Sequence, residues 1–222
     1  MSETLKGKQI VVVGGAGGLG SATTDMLAAE GADLTISYHT NRERAERMAA
    51  VAKVTQADIL LGEDRKRLLD QAPSLYGLVV FTGDPARAAD PGALAAAMEL
   101  SHRVNYLAPV LLAREAAFRM RESGIPGSIV LVSTMQAVAV FPGSTAYAGA
   151  KTALVQGARI LAKECRGQGN IRVDVICPGV SAAGMAEASI AAGKYERFLM
   201  NGIIPRYGRA ADVSRAVRFL LE

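Results

Sequence analysis

Six short segments are rich in branched apolar residues, and QIVVV at Gln9–Val13 and SIVLVS at Ser128–Ser133 among them show no alternating polar face. A strand without a polar face needs apolar cover on both sides, and a parallel sheet sandwiched between helices supplies it. The other segments are Asp33–Tyr38, Val51–Gln56, Gly77–Thr82 and Arg172–Ile176. Longer, alanine-rich stretches of helical period separate them and predict helices over Gly18–Glu30, Arg42–Ala49, Asp64–Gln71, Ala93–Glu122, Thr145–Gly167 and Ala211–Leu221. The expected fold class is α/β: a Rossmann-like, doubly wound parallel sheet of about six strands with helices on both faces. No repeat or linker breaks the alternation, and 222 residues suit one core, so a single domain over residues 1–222 is expected.

Composition removes several alternatives. Half of the residues are hydrophobic and 21% are charged, a globular balance and not a disordered one. No apolar run approaches the roughly 18–20 residues that cross a bilayer, and the N-terminal MSETLKGKQ lacks the apolar core of a secretory signal. A cytoplasmic protein without a membrane partner is expected. Two cysteines, Cys165 and Cys177, and two histidines, His39 and His102, are too few for a disulfide framework or a zinc site, so no metal is expected. The cysteines read as packing residues. The net charge of +4 is modest, and the basic clusters Arg42–Arg47 and Arg65–Arg67 are interleaved with acids at helical spacing. Those are solvated helix faces, and aromatics are too scarce to suggest a nucleic-acid surface.

The segment IVVVGGAGGLG, Ile10–Gly20, sets five glycines behind the first strand. Glycine permits positive φ and lets a pyrophosphate approach without meeting a Cβ, while bare N–H groups and the helix dipole hold the anion. Two registers are open. G-x-G-x-x-G uses Gly15, Gly17 and Gly20, whereas G-x-x-x-G-x-G uses Gly14, Gly18 and Gly20. The first demands an acid about 20 residues on to hold ribose hydroxyls, yet the second strand ends in LTISYHTNRER with no acid at its tip.

Further along, Tyr147 and Lys151 stand four apart at the start of a helix and project from one face, and Thr134 closes an apolar strand 13 residues before Tyr147. With the glycine turn and the later CPG turn at Cys177–Gly179, the chain resembles the short-chain dehydrogenase/reductase family, in its short single-domain branch, from about Lys6 to Leu221. The resemblance selects the second register, so Gly14, Gly18, Leu19 and Gly20 match the cofactor turn. It implies Tyr147 as proton donor or acceptor and Lys151 as ligand of the nicotinamide ribose. It implies Asn105 as support for a proton relay and Asp58 as a contact of the adenine ring. Gly83, Pro178 and Gly179 join the cofactor-binding set on the same likeness. The chemistry is coherent without the family name. A free tyrosine titrates near pH 10, and a nearby ammonium favours its phenolate. Hydride transfer to a carbonyl builds charge on oxygen, which a Thr134 hydroxyl and a Tyr147 proton stabilise.

Departures from the family pattern shape the remaining expectations. Thr134 stands where serine is usual; Ser133 should point to the opposite face of the strand. VFTG at Val80–Gly83 replaces N-N-A-G, and no seventh strand follows the last helix, leaving Arg172–Ile176 as an edge. Tyr38 stands where an acid selects NAD. His39, Thr40 and Arg42 follow it, so NADP is expected over NAD, the arginine opposing the helix dipole unless a 2′-phosphate meets it. The substrate lid falls at about 180–207, with Ala183 in place of a threonine and Ser181 a poor substitute. Val180, Met185, Phe198 and Met200 either line an apolar pocket or pack the lid, and a medium-sized, largely apolar ketone is the expected substrate. IIPRYGRAADV is similar to the 3-oxoacyl-(acyl-carrier-protein) reductases. The family likeness also implies a homodimer or homotetramer built on the two longest helices. The expected activity is interconversion of a carbonyl and a secondary alcohol; the alternative is a nucleotide-binding sensor or scaffold without turnover.

Overall fold

The computed structural model describes residues 4–88, 90–167 and 169–222. Six strands, β1 Gln9–Val13, β2 Asp33–Tyr38, β3 Lys53–Gln56, β4 Leu75–Val80, β5 Ser128–Val132 and β6 Arg172–Ile176, form one parallel sheet in the order β3-β2-β1-β4-β5-β6. The helices are α1 Gly18–Ala29, α2 Arg42–Glu46, α3 Gly62–Asp70, α4 Leu94–His102, α5 Ala108–Glu122, α6 Thr145–Glu164, α7 Glu187–Ala191, α8 Glu196–Met200 and α9 Ala210–Leu221. The expected α/β doubly wound architecture is therefore present. Side chains alternate across the sheet. Val11 and Val13 face one core with Leu68, Leu112 and Leu154, while Ile10 and Val12 face a second with Leu27, Val217 and Leu221. The strand order reverses between β1 and β4, and a ligand crevice is expected beyond the carboxyl ends of those strands.

Several boundaries differ from the sequence reading. β4 begins at Leu75 and ends at Val80, where Gly77–Thr82 was expected. Its early residues extend beside Gln9, and a register shift there accommodates Gly77, whose missing Cβ leaves room for Ile10 at 3.0 Å. β3 starts at Lys53, not Val51, because the chain still turns through residues 47–52. The single helix expected over Ala93–Glu122 is divided by a π turn at Arg103–Leu107, which carries Asn105. α6 stops at Glu164, short of Gly167, whose φ of +75° is left-handed. Two short helices, α7 and α8, occupy a stretch for which periodicity suggested none.

Among the described residues β6 has no outer neighbour. α9 packs back over the sheet, and its unpaired C-terminal carbonyls are taken up by distant donors. Ser128 Oγ and Arg172 Nη2 donate to Leu220 O at 2.8 and 3.1 Å, and the Tyr76 hydroxyl donates to Leu221 O at 2.8 Å.

The bend after β1 depends on missing side chains. Gly14 has φ +71°, and a Cβ on Gly20 would stand 2.1 Å from Gly14 O. No side-chain relaxation removes a clash with backbone. Gly20→Ala is accordingly expected to destabilise the fold by about 2–3 kcal/mol or more, read as a lower urea midpoint at unchanged m-value. A midpoint equal to wild type would show that the bend opens freely.

Candidate active site

The hydroxyl-bearing residues gather at the carboxyl end of β5. Thr134 adopts extended backbone immediately after the strand and caps the following 3₁₀ turn, its Oγ1 accepting Gln136 N–H at 3.4 Å. Tyr147, in the first turn of α6, lies near enough to Thr134 for the threonine hydroxyl to favour its phenolate. Ser133 faces the other way, donating through Oγ to Lys151 O at 3.0 Å. The alternation along the strand thus separates the two neighbouring hydroxyls.

Lys151 is 2% exposed, and its ammonium lies between the ends of two strands, donating to Thr82 O at 2.8 Å and to Val132 O at 2.9 Å. Burial pulls its pKa from 10.5 down to about 8, with the nearby Cys177 acting in the opposite direction. Cys177 is only half-buried and stands at the site. Tyr147 does not show the downward shift expected from a lysine neighbour. Burial pushes the phenol up, the Thr134 hydroxyl opposes, and the neighbouring Tyr195 adds to the rise. The physical reason is that the ammonium is engaged by backbone carbonyls, not by the phenol.

Asn105 is completely buried, and its amide is fully used. Nδ2 donates to Asp84 O at 2.8 Å and to Ser101 Oγ at 2.9 Å, while Oδ1 accepts Asp84 N–H at 3.0 Å. The side chain pins the loop after β4 onto the helix, with Ser101 one turn earlier completing the bond set. Its four-residue spacing from Asn105 was the available signal in the sequence. Gly83 precedes that loop. At the other side of the site Pro178 O accepts Met135 N–H at 2.9 Å, which fastens the Pro178–Gly179 turn to the Thr134 loop.

Beside the carboxyl ends of β2 and β3 lies an open depression of about 520 Å³ lined by His39, Thr40, Gln56, Asp58, Asp64 and Arg67. His39 Nε2 lies 3.8 Å from Asp58 Oδ2. Asp58 Oδ1 already accepts Leu60 N–H, and Asp64 accepts Asp58 N–H and pairs with Arg67 at 2.8 Å. Arg42 stands outside this lining, its Nε 2.6 Å from Glu46.

No side chain caps α1, and Gly14, Gly18 and Gly20 surround its start with Leu19 half-buried between them. A Cβ-free bend beside an uncapped helix terminus fits a dinucleotide pyrophosphate. The chain after β6 nevertheless lies against it: a Cβ on Gly18 would stand 2.3 Å from Gly184 N, and one on Gly83 2.7 Å from Met185 Cε. Phe141, Phe198 and Tyr195 form a run of tilted rings, with centroids 6.1 and 6.3 Å apart. Periodicity did not reveal Phe141 and Tyr195, since neither lies on a regular apolar face.

A family model described as enoyl-(acyl carrier protein) reductase matches residues 14–222. The chain belongs to the short-chain dehydrogenase/reductase family. This dehydrogenase/reductase is 31% identical to 2-(S)-hydroxypropyl-CoM dehydrogenase 3 of Xanthobacter autotrophicus, across 100% of its own length and 92% of the relative's. It is 29% identical to an NADPH-dependent aldehyde reductase-like chloroplastic protein of Arabidopsis thaliana, covering 97% and 88% of the two chains. A solved levodione reductase superposes with a TM-score of 0.86 at 25% identity, over 98% and 92% of the chains. The dehydrogenase/reductase is an NAD(P)-dependent enzyme interconverting a carbonyl and a secondary alcohol. Nothing in these relatives favours a scaffold without turnover. No helix among the described residues is long and apolar enough to cross a membrane.

Proposed function

We propose that Tyr147 passes the proton and Thr134 steadies the oxygen of the reacting carbonyl, and that the substrate is a medium-sized ketone or secondary alcohol with an apolar ring-bearing body. The observation that carries the reading is the placing of the Thr134 and Tyr147 side chains close enough to bear on each other at the end of β5, one helical turn from Lys151. When bound, the nicotinamide supplies or accepts the hydride. Tyr147 donates its proton to the developing alkoxide in reduction and takes it back in oxidation. Its raised pKa suits it to the donor role at neutral pH. Lys151 holds the ribose hydroxyls. Asn105 acts by fixing the loop beside Gly83.

Residues 180–207 are the substrate lid of one domain that spans the chain. Its Phe198 and Tyr195, with Phe141 from the facing loop, offer flat apolar walls near Tyr147. Val140, 96% exposed on that facing loop, extends the apolar mouth.

NADP is preferred to NAD. Support comes from the NADPH-dependent relative, from the lack of an acid at Tyr38, and from carboxylates in the depression that are already paired internally. Thr40 and His39 would hold a 2′-phosphate there, and Arg42, freed from Glu46, would pair with it. The KM for NADPH is expected to be at least about tenfold below that for NADH, and Arg42→Ala to raise it severalfold with NADH unaffected. Equal constants for the two cofactors would remove the assignment. A cytoplasmic homo-oligomer completes the reading, with exposed Phe118 and Ile160 on the long helices available for contact.

A further inference from the structure

α8 and the turn before it carry two cations laid against aromatic rings. Lys194 Nζ stands 5.6 Å from the centre of the Tyr195 ring, and Arg197 Cζ stands 5.0 Å from that of Phe198. Both cations are exposed, and among the described residues neither forms an ion pair. Acids are close by in sequence but are turned elsewhere. Glu196, between the two, folds back over the turn at Gly193, its carboxylate oxygens 3.4 and 3.5 Å from where a Cβ on that glycine would stand. Glu187 accepts Gly184 N–H at 3.0 Å. Arg206, the next cation along the chain, is by contrast paired with Asp212 at 2.9 Å. A ring face attracts a cation but takes up none of its hydrogen bonds as a carboxylate does, so Lys194 and Arg197 keep their donors free.

The rings under these cations lead back to the reacting end. The Tyr195 and Phe198 centroids are 6.3 Å apart, and Phe141 lies 6.1 Å beyond Phe198. Tyr195 stands close enough to Tyr147 to raise its phenol. Outward from Tyr147 the order is therefore a phenol, a run of rings, and two positive charges without a partner. A molecule whose carbonyl meets Tyr147 and whose body packs on those rings ends beside the charges.

We propose that Lys194 and Arg197 form a specificity site for an anion at the far end of the substrate, so that the preferred ketone or secondary alcohol carries an acid group roughly one aromatic ring away from its reacting carbon. This rests on the ring-bearing substrate of the proposed function and adds the charge of its distal end. The arginine fork takes two oxygens of an acid group together, and the lysine adds a point charge from the neighbouring turn. Each pair is exposed and weak by itself, and the two together amount to about a tenfold preference over a neutral molecule of the same shape.

Reduction by NADPH of 4-acetylbenzoate and of its neutral counterpart 4-acetylbenzamide is the test. In wild type kcat/KM is expected to be about tenfold higher for the acid, the difference lying in KM, and to lose most of that advantage when salt is raised to about 0.5 M. In the Lys194→Gln/Arg197→Gln double variant the ratio of acid to amide should fall to within about twofold of unity. Lys194→Arg, which keeps the charge, should retain the preference, and Arg197→Glu should invert it. The ratio is internal to each protein, so a general loss of folded enzyme cancels. A ratio near unity in wild type, or one that survives the double substitution, would overturn the anion site and leave the carbonyl chemistry in place. Failure of wild type to reduce either compound would overturn the ring-bearing substrate class and the anion site with it.

Discussion

Replacing Tyr147 with phenylalanine is expected to lower kcat/KM by roughly 10²–10⁴ while leaving the Kd for NADP(H) within about twofold. The substitution removes one oxygen from a half-buried ring, so packing in the first turn of α6 persists and the Thr134 hydroxyl keeps its Gln136 N–H contact. On the proposed role of Tyr147, what disappears is the proton donor at the reacting oxygen. Burial raises the phenol above its usual value, so at neutral pH nearly every molecule carries that proton and the loss is complete. Thr134→Ala should cost less, because it removes one hydrogen bond to the developing charge but no proton. Steady-state kinetics with ketone and NADPH, beside fluorescence titration of cofactor, separate the two effects. A Tyr147→Phe enzyme that keeps a tenth or more of its turnover would place the acid elsewhere.

Lys151→Met should uncouple stability from function. The buried ammonium titrates at about 8 in the folded chain, against 10.5 when free. Between those values the unfolded chain binds a proton that the folded chain has released, so stability rises with pH across this window. The contribution of this group amounts to about 3 kcal/mol, present as a penalty at pH 7 and relieved as pH approaches 10.5. In the methionine variant that slope vanishes. The carbonyls of Thr82 and Val132 lose their donor, which lowers the whole curve by about 1 kcal/mol for each without changing its slope. Urea midpoints for both proteins at pH 7.5, 8.5 and 9.5 test this. The range stops below the titration of Tyr147, whose raised pKa acts in the opposite sense above pH 10. A wild-type minus variant difference that stays constant with pH would mean that the ammonium is not desolvated. On the proposed role of Lys151 at the ribose, activity should fall sharply in the variant at every pH.

The local pattern made much of this enzyme readable in advance. The apolar strands lacked a polar side, and helices of the proper period lay between them, so the two-sided core and parallel sheet followed from packing alone. The separation of Ser133 from Thr134 was equally readable, because a strand turns successive side chains to opposite faces. The glycine bend was readable too, since the backbone contact at Gly20 leaves no volume for a side chain.

What tertiary structure alone decided concerns partners that carry no side-chain signature. Lys151 is bound by the main-chain oxygens of Thr82 and Val132, and any residue could have supplied them, so the expected pairing with the phenol gave way to strand-end carbonyls. Asn105 is spent on the main chain of Asp84 in the same manner, 21 positions away. Residues 183–185 lie on Gly18 and Gly83 because β6 releases the chain beside β5 and the bridge from Ser181 to Gly208 aims it back across the crevice. Periodicity encodes which face a residue shows; it holds no information about which distant backbone will meet that face, because this depends on how the loops close.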